Sequence, residues 1–255
     1  MFVAIITGAS SGIGSELVRL IGKYIKVDEI WAIARRKDRL ESLAVGEGIK
    51  LRAIPLDLSN SKSFKEVEKL LKNENKKVEV LINCAGYGKF GAYSDIDFDS
   101  ELGMIDLNAK ALVGMTRTVL PFMNEGAKIL QVCSISSFQP LPLANVYAAT
   151  KVFVLNYSRG LSVELKPRKI TVTALCPGWV NTDFFETATN TKNPKAVTKY
   201  TFMQTPERVA RQGLSAMKKG RLTSIVGFQN KLLYVMGKIL PVKLIMKVWL
   251  LTQKG

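Results

Sequence analysis

Apolar residues along this 255-residue chain gather in short unbroken runs, separated by longer stretches of mixed polarity. The runs are Phe2–Ile6, Glu29–Ala34, Lys50–Leu56, Val78–Ile82, Lys128–Cys133, Ile170–Leu175 and Leu222–Gly227. They are too short for helices and are rich in Ile, Leu and Val, which suits strands of a buried parallel sheet. Helical periodicity fills the gaps. It predicts a helix from about Ser15 to Tyr24, and another capped by Ser59 or Asn60 that ends near Asn73. A long one is expected roughly from Phe98 through Pro121, one carries Tyr147, and one begins at Thr205-Pro206-Glu207 with a cap residue before proline. Strands alternating with helices of this length predict an α/β fold: a doubly wound parallel sheet of about seven strands, with helices on both faces. No repeat or low-complexity linker interrupts it, so residues 1–255 read as one domain.

Two segments break the rhythm. Residues 179–204 are rich in Thr and Asn and carry Trp179, Phe184, Phe185 and Tyr200, a composition that suits a binding flap. Residues 228–255 form an extension that is apolar but punctuated by Lys231, Lys238, Lys243 and Lys247, with Pro241 dividing it into two helical pieces. Such a basic amphipathic segment (228–251) is suited to peripheral contact with a membrane, to covering a substrate cleft, or to packing on the domain or on another subunit.

Charge and composition narrow the chemistry. Thirty-seven Lys and Arg against 21 Asp and Glu give a formal net charge of +16, which favours anionic cofactors, substrates or surfaces. No RNA-binding motif or zinc finger accompanies it, so nucleic acid is not predicted as a partner. The chain has no histidine, which excludes Ser-His-Asp and Cys-His machinery and most zinc or iron sites. Cys84, Cys133 and Cys176 lie scattered in apolar runs and read as reduced core residues, the pattern of a cytoplasmic protein. The N-terminal residues have no basic region or cleavage site, and no metal is expected.

Three local patterns carry chemistry. Gly8, Gly12 and Gly14 lie between a strand and a helix, where glycines allow a tight turn and close approach of a pyrophosphate to the helix N-terminus. The second strand ends in Ala34-Arg35-Arg36 where an acid would hold the ribose hydroxyls of NAD, and two guanidinium groups favour the 2′-phosphate of NADP(H). Tyr147 and Lys151 stand four apart, so on a helix they share a face, and the ammonium is expected to lower the phenol's pKa toward the working range of a proton donor.

Together these motifs resemble the short-chain dehydrogenase/reductase family, over nearly the whole chain to about residue 227. The resemblance implies a Rossmann-type fold and a loop of Gly8, Ser10, Ser11, Gly12, Ile13 and Gly14 around the cofactor. It puts Asp57 and Leu58 beside the adenine, and Asn83, Ala85 and Gly86 of Asn-Cys-Ala-Gly along the adenosine ribose; Cys84 departs from the family's second asparagine. Pro177, Gly178, Val180 and Thr182 match the segment that meets nicotinamide and phosphates. The implied catalytic set is Asn108, Ser134, Tyr147 and Lys151, with Ser134 thirteen residues before Tyr147 and Ser136 and Ser137 as competitors. In that set Ser134 and Tyr147 bind the carbonyl oxygen, Tyr147 moves the proton, Lys151 also holds the nicotinamide ribose, and Asn108 bends a helix and positions a water. The expected activity is NADP(H)-dependent interconversion of a secondary alcohol and a ketone. The substrate is expected to be lipophilic, hydroxysteroid- or bile-acid-like and carboxylate-bearing. A 3-oxoacyl-(carrier protein) reductase, a general carbonyl reductase and a nucleotide-binding membrane-associated protein are the alternatives. By the same resemblance a homodimer or homotetramer is expected, paired through the helices of Asn108 and Tyr147.

Overall fold

The computed structural model describes residues 2–253. Its strands are β1 (Phe2–Thr7), β2 (Glu29–Ala34), β3 (Lys50–Pro55), β4 (Lys77–Asn83), β5 (Met123–Val132), β6 (Thr171–Cys176) and β7 (Thr223–Ile225). All pair in parallel, in the order β3-β2-β1-β4-β5-β6-β7. The progression reverses between β1 and β4, the topological switch point beyond whose strand ends open α/β sheets bind their ligands.

Both faces are covered, which is why the strands read as continuous apolar runs. In β1, Ala4 and Ile6 face one core and Val3 and Ile5 the other, as successive strand side chains must. The first core takes α1 (Gly12–Leu20), with Leu17 and Val18, and α8 (Pro206–Lys218), with Val209, Leu214 and Met217. The second takes α3 (Lys62–Asn73), α5 (Ala111–Val119) and the far end of α6 (Asn145–Glu164), through residues such as Val67, Met115 and Leu161.

Several boundaries differ from the periodicity reading. The expected 98–121 helix is α4 (Phe98–Ile105), a π turn over Asp106–Lys110, then α5. Apolar spacing cannot register one inserted residue, and the π turn lies at Asn108. Helix α3 starts at Lys62, because Asn60 Oδ1 accepts from the Lys62 amide (3.0 Å) and turns the chain before the helix begins. Two short helices, α2 (Lys37–Glu41) and α7 (Phe184–Thr189), offer too few turns for a period to show. The flap closes at its base through a parallel bridge between Val180 and Gln204. The extension folds as α9 (Phe228–Ile239) and α10 (Val242–Gln253), divided at Pro241 as expected. No helix among the described residues is long and apolar enough to cross a membrane.

Leu81 is wholly buried in the central strand β4. Leu81→Ala is expected to lower the free energy of unfolding by about 2–5 kcal/mol, from lost transfer energy plus a cavity, with an unchanged denaturant slope. Equilibrium urea unfolding checks it.

Candidate active site

The turn after β1 is built by contacts that only glycine tolerates. Gly8 and Gly12 hold φ of 66° and 56°. A Cβ on Gly14 would stand 2.0 Å from the Gly8 carbonyl oxygen, and one on Gly8 2.7 Å from the Ala85 amide nitrogen. The loop is thereby folded onto the segment after β4, where Thr7 Oγ1 accepts from the amides of Cys84 (3.0 Å) and Ala85 (3.2 Å). From the opposite side a Cβ on Gly12 would come within 2.9 Å of Thr182 Cγ2, so the start of the flap also borders the loop. Helix α1 has no side-chain hydrogen bond at its N-cap and no acidic residue in its first turn, which leaves a positive helix end for an anion.

The adenosine side is basic. Arg36 Nη2 donates to Ser10 Oγ (3.1 Å) and Ser11 Oγ (3.0 Å), so its guanidinium lies across the loop. The charge of Arg35 is felt by Asp57. Burial pushes the Asp57 carboxyl upward, but hydrogen bonds from Ser59 and the charge of Arg35 outweigh it and hold the group below its usual range. Leu58, next to Asp57, is buried in the second core, and Ile13 packs against the first. A third arginine escaped sequence reasoning: Arg39 Nη1 lies 2.7 Å from Asp183 Oδ2 and ties α2 to the flap. Arg36 Nη1 also lies 3.9 Å from Asp183 Oδ2, and no acid stands at the end of β2 itself.

Asn83 serves a different purpose from the one expected. Its Nδ2 donates to Thr116 Oγ1 (3.0 Å) and Gln131 Oε1 (2.9 Å) inside the fold, so its side chain joins β4, β5 and α5 instead of lining a ribose. Gly86 lies against two of the candidate catalytic side chains: a Cβ on it would meet Asn108 Oδ1 at 2.8 Å and Lys151 Nζ at 3.5 Å.

Ser134, Tyr147, Lys151 and Asn108 converge at the ends of β4 and β5. Ser134 follows β5, and its Oγ accepts from the Ser136 amide (3.1 Å). Ser137 Oγ is spent on the Lys151 carbonyl (2.9 Å), which removes it from the competition. The Ser136 hydroxyl is buried without a partner among the described residues, whereas Ser134 is near enough to the Tyr147 phenol to act on its pKa. Asn108 has both donors committed: Nδ2 donates to the Tyr87 carbonyl (2.8 Å) and Thr150 Oγ1 (3.1 Å), while Oδ1 accepts from the Tyr87 amide (3.0 Å) and keeps one lone pair free to accept from a water. Its side chain therefore has no donor left for a water. It positions the π turn against α6, a role shared by Tyr87 and Thr150, which sequence reasoning did not find.

Lys151 Nζ donates to the Val132 carbonyl (3.1 Å) and lies 5.7 Å from the centre of the Tyr147 ring. Burial lowers the lysine's pKa, partly offset by the thiols of Cys133, Cys84 and Cys176. Burial also pushes the Tyr147 phenol up to about 12, with Ser134 opposing it. This corrects the expected direction. Desolvation dominates the phenol, while the lysine's hydrogen bond goes to backbone.

The nicotinamide-side segment is held from behind. The Pro177 carbonyl accepts from the Ile135 amide (2.8 Å), Val180 is pinned by its bridge to Gln204, and the Thr182 hydroxyl accepts from the Phe184 amide (3.3 Å). A Cβ on Gly178 would collide with Asn230 Nδ2 at 2.5 Å, so α9 braces this turn with a buried asparagine that no motif reveals. Beside Tyr147 the flap supplies an aromatic wall. Phe184 lies 5.5 Å from the Tyr147 ring, and Phe90, Trp179, Phe185 and Tyr200 continue the cluster.

A family model described as short chain dehydrogenase matches residues 2–193. The chain belongs to this family. Sulfoacetaldehyde reductase 2 of Chromohalobacter salexigens is 31% identical over 191 residues, 71% of this chain and 74% of that protein. Oxidoreductase UcpA of Escherichia coli (strain K12) is 28% identical over 195 residues, 75% of this chain and 74% of its own length. Among solved structures, a short-chain dehydrogenase from Sphingobium yanoikuyae in complex with NADPH superposes with a TM-score of 0.77 at 28% identity, covering 89% of this chain and 88% of that one. A bulky-bulky ketone specific alcohol dehydrogenase from Comamonas testosteroni gives 0.72 at 28% identity, covering 88% and 85%. A 3-ketoacyl-(acyl-carrier-protein) reductase from Brucella melitensis complexed with NADH gives 0.73 at 25%, covering 88% and 96%. The short-chain dehydrogenase match ends before α8, so α9 and α10 lie outside it.

Gly14→Ala is expected to force the Gly8 carbonyl out of the loop and weaken NADPH binding at least about tenfold, read by nucleotide fluorescence. In near-ultraviolet titration, wild type minus Tyr147→Phe is expected to show a phenol that stays protonated past the ordinary tyrosine midpoint of about 10.

Proposed function

We propose that this short-chain dehydrogenase is an NADP(H)-dependent reductase of ketones flanked by bulky apolar groups, or the corresponding secondary-alcohol dehydrogenase. The carrying observation is Tyr147 standing between the buried Lys151, whose Nζ lies 5.7 Å from its ring centre, and the aromatic wall that begins at Phe184. Gly8, Gly12, Gly14, the α1 N-terminus and Thr182 would hold the pyrophosphate, and Arg35 and Arg36 the 2′-phosphate. When bound, reduced nicotinamide supplies the hydride.

The protein's own residues do the rest. Ser134 and Tyr147 donate to the substrate oxygen, where negative charge develops as the carbonyl is reduced. The Tyr147 hydroxyl then gives up its proton to that oxygen. A phenol pushed up to about 12 is fully protonated at neutral pH, the form needed for reduction. The buried Lys151 ammonium lies close enough to stabilise the phenolate left behind. The aromatic cluster excludes water and offers apolar area to a substrate such as a ketosteroid or oxo-bile acid, and the cationic surface favours a carboxylate on it. The solved Comamonas testosteroni enzyme supports the bulky-ketone reading. The Brucella melitensis reductase supports a 3-oxoacyl substrate as the second reading, with the basic surface matching an acidic carrier. Subunits would pair through Phe98, Leu102 and Ile105, spaced along one exposed face of α4, and the neighbouring Phe153 of α6.

An NADPH-oxidation screen against ketosteroids, oxo-bile acids, 3-oxoacyl thioesters and small aldehydes tests the substrate; turnover of small aldehydes alone contradicts the bulky-ketone reading. Tyr147→Phe is expected to remove at least about 99% of kcat and leave the Kd for NADPH within about twofold. NADPH is expected to bind at least about tenfold tighter than NADH, with Arg36→Ala erasing most of the difference. Reduction requires the phenol protonated and oxidation requires the phenolate. Rates of alcohol oxidation should therefore rise with pH through the neutral range, while kcat/KM for ketone reduction should not fall there, as initial rates on both sides will show.

A further inference from the structure

Helices α9 and α10 are amphipathic in an unusual sense. Their polar anchors face the protein and their apolar stripes face outward. On α9 the inward side carries Asn230, which donates to the Val226 carbonyl (2.7 Å), and Tyr234, packed 4.5 Å from Phe138. The outward side carries Phe228, Leu232, Val235 and Ile239, spaced four, three and four apart on one helical face; Phe228 is 77% exposed and Ile239 75%. On α10, Trp249 stacks on Trp179 and donates to the Pro142 carbonyl (2.7 Å), while Gln253 accepts from the amides of Thr198 and Lys199. Its outward stripe is Leu244, Val248 and Leu251, again four and three apart.

Lysines border each stripe. Lys231 and Lys238 run along one edge of the α9 stripe, and Lys243 and Lys247 along one edge of the α10 stripe. Among the described residues none of the four has an acidic partner, and no acid follows Glu207 in the sequence. Lys238 Nζ rests 4.6 Å from the centre of the Tyr234 ring, and exposed lysines with stems along apolar surface suit an interface between acyl chains and anionic headgroups. A second copy is a poor occupant. A two-fold interface would set each copy's lysines against the same unpaired positive patch.

We infer that the outward face of α9–α10 binds the surface of an anionic lipid bilayer. The inward faces of the same helices brace Gly178 and Trp179, so docking would bring the aromatic cleft close to the lipid; this inference rests on the lipophilic-substrate reading for its purpose but not for its binding chemistry. Substrate would then reach the cleft by partitioning into the bilayer first.

The test is co-sedimentation of the full chain with vesicles of phosphatidylcholine alone or with phosphatidylglycerol. The protein should pellet with the anionic vesicles, release as salt is raised, and bind neutral vesicles weakly. Replacing Lys231, Lys238, Lys243 and Lys247 together by Gln should cut anionic-vesicle binding by well over tenfold, since each lysine near such a surface is worth about fivefold. Leu232→Ser with Ile239→Ser and Val248→Ser should do the same. Both variants should keep the wild-type thermal midpoint and the wild-type Kd for NADPH. Equal binding to neutral and anionic vesicles, no binding to either, or pelleting unaffected in the glutamine variant overturns the inference. Apolar variants that convert an oligomer to a monomer while still pelleting overturn it too. Pelleting needs no turnover, so failure of the enzymatic reading would leave this result standing.

Discussion

The site depends on one buried ammonium. Lys151 Nζ is held by the Val132 carbonyl at the end of β5, buried and with no carboxylate beside it among the described residues. Leaving such a charge buried is costly, so the surrounding geometry must keep it hydrogen-bonded and close to groups that gain from it. Helix α6 brings Tyr147 above it, β5 places Ser134 against the phenol, and Gly86 lets the chain after β4 pass alongside. Asn108 fastens this corner from the other side, joining the Tyr87 backbone to Thr150. The same desolvation that strains the lysine keeps the phenol protonated, so the environment prepares Tyr147 to donate a proton.

The flap and the extension complete what the parallel sheet leaves open. The sheet's carboxyl edge supplies polar groups and a nucleotide cradle but no apolar wall. Phe184 and Trp179 supply that wall from the flap, Asn230 braces its backbone from α9, and Trp249 stacks on it from α10. On the proposed function, substrate choice lies in segments where the family's shared pattern has ended or is ending.

Much of this was legible before any coordinates. Buried parallel strands announce themselves as unbroken apolar runs, and β2 (Glu29–Ala34) matches its run at both ends. Tyr147 and Lys151 could be placed on one helical face from spacing alone. Interactions that depend on distance along no single element were invisible. The π turn at Asn108 adds one residue without disturbing composition, and Asn83 looks alike in sequence whether it faces a ribose or Thr116. Spacing reports that a charge is near Tyr147, while only burial reports what desolvation costs its phenolate. Arg39 and Asn230 act through partners 144 and roughly 50 residues away, so no local pattern could mark them.

The most direct measurement follows the hydride. With NADPH deuterated at the transferring position and a bulky ketone, mass spectrometry of the alcohol should find one deuterium on the carbinol carbon for each cofactor oxidised. Product without deuterium, or cofactor oxidation without any alcohol, would contradict the account.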